Sequence, residues 1–140
     1  VKAAPDVLLY KSIYEEVIVV ASADQDFAGI FYLPELRMPE FEAAQAIRAR
    51  MVAHYAELLA QCVQAGRIET DTVALVAEQM FQLTETSILA PQLSDTISPE
   101  QQAAATADFC LRGLGVRDTE LRAIRQAAAD IALRIELPEG

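Results

Sequence analysis

The sequence predicts an all-α domain of about six helices, and two observations carry this prediction. Apolar residues recur at three- and four-residue steps along most of the chain, and helix start and stop signals separate the periodic segments. The length of 140 residues suits a single domain. We expect this domain to span residues 1–140, with a core at about 6–115 and an additional C-terminal helix at about 118–136.

The N-terminal segment is predicted to be helical. Six of its residues share one helical face: Tyr10, Ile13, Tyr14, Val17, Val20 and Ala21. The β-branched run at 17–20 could also form a buried strand, but the sequence offers no obvious partner strand, so we favour a helix. A short helix at about 24–32 should follow.

The longest predicted helix runs from Phe41 to Ala65. The loop before it contains Pro34 and Pro39, which discourage helix, and Gly66 is well placed to end it. Its apolar face comprises Ile47, Met51, Tyr55, Leu58, Leu59 and Cys62.

End signals predict the remaining three helices. Thr70 or Asp71 should cap a helix that ends near Leu89. Ser98 and Gln101 have the spacing of a capping box. The helix that Ser98 caps should end at about Leu114, between Gly113 and Gly115. Asp118 should cap a last helix that extends to about Ile135.

Composition limits the possible functions. The formal net charge is −10, whereas a DNA-binding surface needs Lys and Arg against phosphates, so the chain by itself is not predicted to bind nucleic acid or an anionic membrane. No apolar run is long enough to span a bilayer. Cys62 and Cys110 cannot form a zinc site with the single histidine and are expected to be buried thiols. No phosphate-binding, zinc-protease or hydrolase motif occurs, so we predict a soluble non-enzyme without cofactor or metal.

Two helices carry more apolar surface than one packed face needs. Over Val73 to Leu89 the apolar arc covers about half of the circumference, and the Ser98–Leu114 helix has a face of small residues with Phe109 roughly opposite. Such helices can pair with the same two of a second copy, or they can pack within one chain. The predicted dimer interface comprises Ala77, Phe81, Thr84, Ile88, Ala103, Ala107, Cys110 and Leu111.

From residue 30 to Leu114 the chain resembles the C-terminal regulatory domain of the TetR family of bacterial repressors. The resemblance rests on the stretch 31–37, on the long helix with Arg48 and Arg50, and on the turn at 64–71 that leads into a wide apolar helix. It implies a cytoplasmic homodimer that binds a small, mostly apolar effector. The family's DNA-reading helix-turn-helix is absent from this sequence, so DNA contacts would belong to another part of a longer protein.

The resemblance also implies a ligand pocket inside the helical bundle. Its predicted lining comprises Tyr10, Tyr14, Phe27, Phe31, Arg48, Met51, His54, Tyr55, Leu58, Met80 and Leu83. The alternative is that these residues are ordinary core, that His54 lies at the boundary of the apolar face, and that Arg48 pairs with Glu15 or Glu16. A helical protein–protein interaction module without a small-molecule ligand is the alternative function.

Overall fold

The computed structural model describes residues 3–22, 38–87 and 96–131. Five α-helices occupy these ranges: α1 Pro5–Ala21, α2 Glu42–Gln64, α3 Val73–Thr86, α4 Pro99–Gly113 and α5 Asp118–Asp130. A short 3₁₀ turn at Pro39–Phe41 leads into α2, and none of the described ranges contains a strand. The prediction of an all-α fold is confirmed, and the β-branched run at 17–20 is helical. The predicted helix at 24–32 and the predicted ends at Leu89 and Ile135 lie outside the described residues.

Two of the predicted helix ends are formed as the sequence indicates. At the start of α4 the amide of Gln101 donates to Ser98 Oγ at 3.1 Å, and the amide of Ser98 donates to Gln101 Oε1 at 2.9 Å, which completes the capping box. After α2, Gly66 has φ of +68°, a conformation that costs glycine little. The amide of Arg67 then donates to the carbonyl of Cys62 at 2.9 Å, as in a Schellman motif.

Two predicted caps are wrong by one or two residues. Asp118 is the first residue of α5 rather than its cap, and its carboxylate pairs with Arg112 at 2.9 Å. Before α3 the cap position is Thr72, whose amide donates to Thr70 Oγ1 at 3.2 Å. Three successive residues there can all accept a hydrogen bond near a helix start, so the sequence does not select one.

Helix α1 is the centre of the fold, because it packs against each of the other four helices, most extensively against α4. Helix α2 packs on α3. The core contains fully buried side chains from α1, α2, α4 and α5, among them Ile13, Leu59, Leu111 and Leu121. Each such side chain contributes about 1.5–3 kcal/mol relative to its exposed state. The first half of α2 is mostly exposed; Ile47, predicted on its apolar face, is 55% exposed.

Within the described ranges, no helix has both the length and the apolar character needed to cross a membrane.

Candidate functional site

Helices α1, α2 and α3 meet around the fully buried side chain of Tyr55. Its hydroxyl donates to the carbonyl oxygen of Ser12 at 3.4 Å, and its ring centroid lies 6.0 Å from that of Phe81. Burial, and then the charge of Glu16, raises the pKa of Tyr55. The hydroxyl therefore stays protonated and acts as a donor that ties α2 to α1.

Arg48 joins α2 to α3 beside this junction. Its Nη2 lies 2.7 Å from Glu78 Oε1 and its Nε lies 3.0 Å from Glu85 Oε1. The guanidinium carbon also lies 5.2 Å from the centroid of the Phe81 ring, within the range of a cation–π contact. The hydrogen bond with Glu78 is the main cause that raises the pKa of Arg48. Two carboxylates and one aromatic face thus already engage this cation.

Two half-buried glutamates give the junction an excess of negative charge. Burial, and then the charge of Glu85, raises the pKa of Glu16. Burial also raises the pKa of Glu85, although Arg48 opposes this effect. Glu16 has no hydrogen bond or ion pair with the part of the chain that the structure describes. Two glutamates, Glu78 and Glu85, therefore pair with Arg48, and Glu16 adds a third negative charge near Glu85.

His54 borders the same junction from the exposed side of α2. Its Nε2 lies 3.4 Å from Ser12 Oγ, at the long end of hydrogen-bond geometry. Nucleophilic catalysis by a serine and a histidine needs a shorter bond and a third group that orients the imidazole. No carboxylate among the described residues fulfils that role at His54.

Tyr10 belongs to a different polar network, on the side of α1 that faces α4. Its hydroxyl donates to Asp108 Oδ1 at 3.1 Å, and Arg125 of α5 binds both oxygens of the same carboxylate. Burial, and then the charge of Asp108, raises the pKa of Tyr10. The network joins three helices.

A cleft of about 400 Å³ lies at the end of the bundle where α1 begins. The first turn of α1, the turn at Gly66 and Arg67, and one face of α5 line it. Its charged groups already face each other, since Arg67 Nη1 lies 3.8 Å from Asp6 Oδ2. None of the predicted ligand residues that the structure describes lines this cleft.

The two cysteines are unpaired and buried. Burial raises the pKa of both Cys62 and Cys110 to about 11, so both are protonated and unreactive at neutral pH. Among the described residues, no group of three or more His, Cys, Asp or Glu side chains is arranged to hold a metal ion.

A comparison with protein families adds to this geometry. The family model of the AefR-like transcriptional repressor C-terminal domain matches residues 30–112, more than half of the chain. The chain belongs to the TetR family of transcriptional repressors. No curated protein and no solved structure gives a significant match. The resemblance drawn from the sequence is confirmed, and the chain is a regulatory repressor domain of a kind that is in general not enzymatic.

The predicted ligand residues of this TetR-family domain separate into groups. Tyr55, Leu58 and Met80 are 5% exposed or less and belong to the core. A second set is less buried: Arg48, Met51 and Leu83 are half-buried, and His54 is exposed. Leu83 is two residues from Glu85 and therefore lies about 160° away from it around α3, on the side away from Arg48. Phe27 and Phe31 lie outside the described residues.

The two remaining tyrosines do not line the junction. Tyr10 is bound to Asp108 of α4. Tyr14 is half-buried, and burial, and then the charge of Glu100 on α4, raises its pKa. The helical wheel put both tyrosines on one apolar face of α1, but α4 rather than α2 covers that part of the face.

The predicted interface residues of the TetR-family domain are buried within one subunit. None is more than 7% exposed: Ala77, Phe81, Thr84, Ala103, Ala107, Cys110 and Leu111. Ile88 lies outside the described residues. The faces of α3 and α4 that carry these side chains pack into the subunit's own core.

The sequence did not reveal the partners of Arg48. Glu15 pairs with Lys11 within α1, and Arg48 pairs with Glu78 and Glu85 instead. The sequence does contain a feature that indicates this pairing: Glu78 and Glu85 are seven residues apart and therefore lie two turns apart on one face of α3. What the sequence could not supply was the packing of α2 on α3.

Proposed function

We propose that this TetR-family domain binds a small, mostly apolar effector and forms a homodimer, and that the two events control a DNA-binding helix-turn-helix outside this chain. The family match over residues 30–112 carries the proposal. The acidic character of the chain is consistent with it, because a net charge of −10 disfavours DNA binding by this chain itself, so that DNA contacts would be made by a separate domain. The intact protein would act in the cytoplasm, where its operator is accessible.

The α1–α2–α3 junction is the proposed effector site. Met51 is half-buried one turn before Tyr55 and can give way to an apolar ligand. His54 is exposed on the same helix and can donate or accept a hydrogen bond. Such a mixture of apolar walls with a few polar groups is typical of small-molecule sites. Phe27 and Phe31 remain predictions for its lining.

The charges at this junction favour a neutral or cationic effector over an anionic one. Arg48 is the one cation that the described residues place there, and both Glu78 and Glu85 already bind it. An effector carboxylate would have to displace these ion pairs and would also face Glu16. For Arg48 we therefore favour the structural role, which the sequence left open beside a place in the ligand lining.

The outward face of α4 is the centre of the proposed dimer interface. Phe109 is 68% exposed, and Gln102 and Ala105 lie on the same side of the helix, one to two turns earlier. The half-buried Val76 and Leu83 give α3 an apolar side as well. A single exposed apolar side chain is ordinary on a protein surface, but aromatic residues are enriched at interfaces, and a two-helix face suits a twofold four-helix interface.

Native mass spectrometry of the purified 140-residue chain tests both parts of the proposal. We expect a dimer, and an additional mass of roughly a few hundred daltons if the site retains its effector. Phe109→Glu should yield monomers, whereas Ile47→Glu, at a similarly exposed position of α2, should stay dimeric. Met51→Trp should fill the site and remove the additional mass without dissociating the dimer.

The outcomes separate the two parts. A monomeric wild-type chain, or a dimeric Phe109→Glu variant, would contradict the interface. A dimer that neither retains extra mass nor gains thermal stability from apolar compounds, as mass action requires of a native-state ligand, would contradict the effector site. That result would favour the interaction-module alternative.

A further inference from the structure

The carboxylate of Asp108 joins three helices at one point. It lies on α4 and accepts three hydrogen bonds: from the hydroxyl of Tyr10 at 3.1 Å, from Arg125 Nε at 2.8 Å and from Arg125 Nη2 at 2.7 Å. The side chain of Asp108 is only 14% exposed, and Tyr10 is 4% exposed. A two-pronged guanidinium–carboxylate pair of this length fixes both distance and orientation.

This network lies next to the proposed dimer surface. Phe109 directly follows Asp108 on α4, so their side chains leave the helix about 100° apart. Any rotation of α4 about its own axis that strains the Asp108 network therefore also turns Phe109. The geometry of the exposed face and that of the network cannot change independently.

The buried side of α4 combines small and larger side chains. Ala103 and Ala107 are fully buried, and so is Leu111, at 1% exposure. Apolar burial of this kind is non-directional, whereas a two-pronged ion pair fixes an orientation. Asp108, held by α1 on one side and by α5 on the other, supplies a directional contact in addition to this packing.

We propose that Tyr10, Asp108 and Arg125 are positioning residues that fix the rotation of α4 and thereby hold the Phe109 surface in the orientation that a second copy meets. Helix α5 then contributes to dimerisation through Arg125. This inference rests on the proposed dimer and adds to it a role for α5.

Conservative substitutions test the role of each group. Arg125→Lys keeps the charge but cannot bind both oxygens of the carboxylate, and we expect it to raise the dimer dissociation constant about tenfold. Asp108→Asn removes the charge and should have at least the same effect. Tyr10→Phe removes one weaker bond and should have a smaller effect, about threefold.

The measurement is sedimentation equilibrium of the full 140-residue chain, with urea midpoints determined for the same variants. Arg112→Lys is the matched control, because Arg112 also links α4 to α5, through a pair with Asp118 in which both side chains are more than half exposed. It should leave the dissociation constant within about twofold, since such exposed pairs contribute little.

If the three residues position α4, their variants should raise the dimer dissociation constant strongly while lowering the urea midpoint only slightly. If Arg125→Lys lowers the midpoint but dimerises like the wild type, the network is merely structural and the inference is wrong. If Arg112→Lys raises the dissociation constant as much as Arg125→Lys does, the inference is wrong as well.

The wild-type chain separates this inference from the proposed dimer. A monomeric wild-type chain would refute both. A dimeric wild type whose variants have an unchanged dissociation constant would refute the inference alone. Should Asp108→Asn not fold, Arg125→Lys still decides, because Arg125 is 39% exposed.

Discussion

Glu16 is a half-buried carboxylate for which the described part of the chain provides no partner. Removing a charge from water without a compensating hydrogen bond or ion pair costs free energy, and the charge of Glu85 adds to that cost. Glu15 beside it differs, since Lys11 pairs with it. Two adjacent glutamates on α1 thus stand in opposite electrostatic environments.

Glu16→Gln should therefore stabilise the chain at neutral pH. The pKa of Glu16 is raised in the folded state, so the folded chain binds more protons than the unfolded chain, and its stability falls as pH rises through this range. We expect the variant to gain on the order of 0.5 kcal/mol at pH 7, a modest figure because solvent still reaches the carboxylate. Below the ordinary glutamate value of 4.5 the gain should vanish.

Urea denaturation at pH 7 and at pH 4 measures this effect. The control is Glu57→Gln on the exposed side of α2, which should change stability little at either pH. A Glu16→Gln variant that is less stable than the wild type at pH 7 would show that Glu16 makes a favourable contact outside the described residues.

At the scale of one helix, the two glycines at the end of α4 have opposite roles. Gly115 has φ of +86°, and its amide donates to the carbonyl of Arg112 at 3.0 Å. Gly113 is the last residue of α4, and its φ is not positive. A methyl group added at either position meets no atom within 4 Å, so only backbone conformation distinguishes them.

Alanine substitutions at these glycines should change stability in opposite directions. Gly115→Ala should destabilise the chain by about 1 kcal/mol, because a side chain is strained at positive φ. Gly113→Ala should stabilise it by about 0.5–1 kcal/mol, because glycine in a helix loses more backbone entropy than alanine. Thermal unfolding of the two variants beside the wild type is the measurement. Equal shifts of the same sign would contradict the helix end described for α4.

The helix ends also show how much the sequence could predict. The sequence predicts the capping roles of Ser98, Gln101 and Gly66 because capping depends on atoms within about five residues.

The role of an apolar helix face depends instead on which other element of the fold covers it. The wide arc on α3 and the small residues on α4 were identified correctly as apolar, but α1 and the rest of the core cover Thr84 and Leu111. Substitution of these two by glutamate would bury charge in the core and would unfold the subunit rather than separate two copies.

The whole molecule is organised around α1, which the family match over residues 30–112 does not include. The match ends before α5 as well. The described core nevertheless extends to both ends, because Ile13 of α1 and Leu121 of α5 are fully buried. We therefore expect α1 and α5 to unfold together with the matched helices in one cooperative transition.

Leu121→Ala tests this cooperativity. Removal of a fully buried leucine should cost about 2–5 kcal/mol through lost burial and the cavity that remains. Urea unfolding is monitored by far-ultraviolet circular dichroism. If α5 is part of the common core, the whole transition should shift to a lower urea concentration and remain a single step. Leu75→Ala is the matched control, because Leu75 is 56% exposed and its truncation should cost less than about 0.5 kcal/mol. Loss of only a small helical fraction, with the main transition unmoved, would mean that α5 is an appended helix that folds separately, and it would remove the support that the proposed role of Arg125 requires.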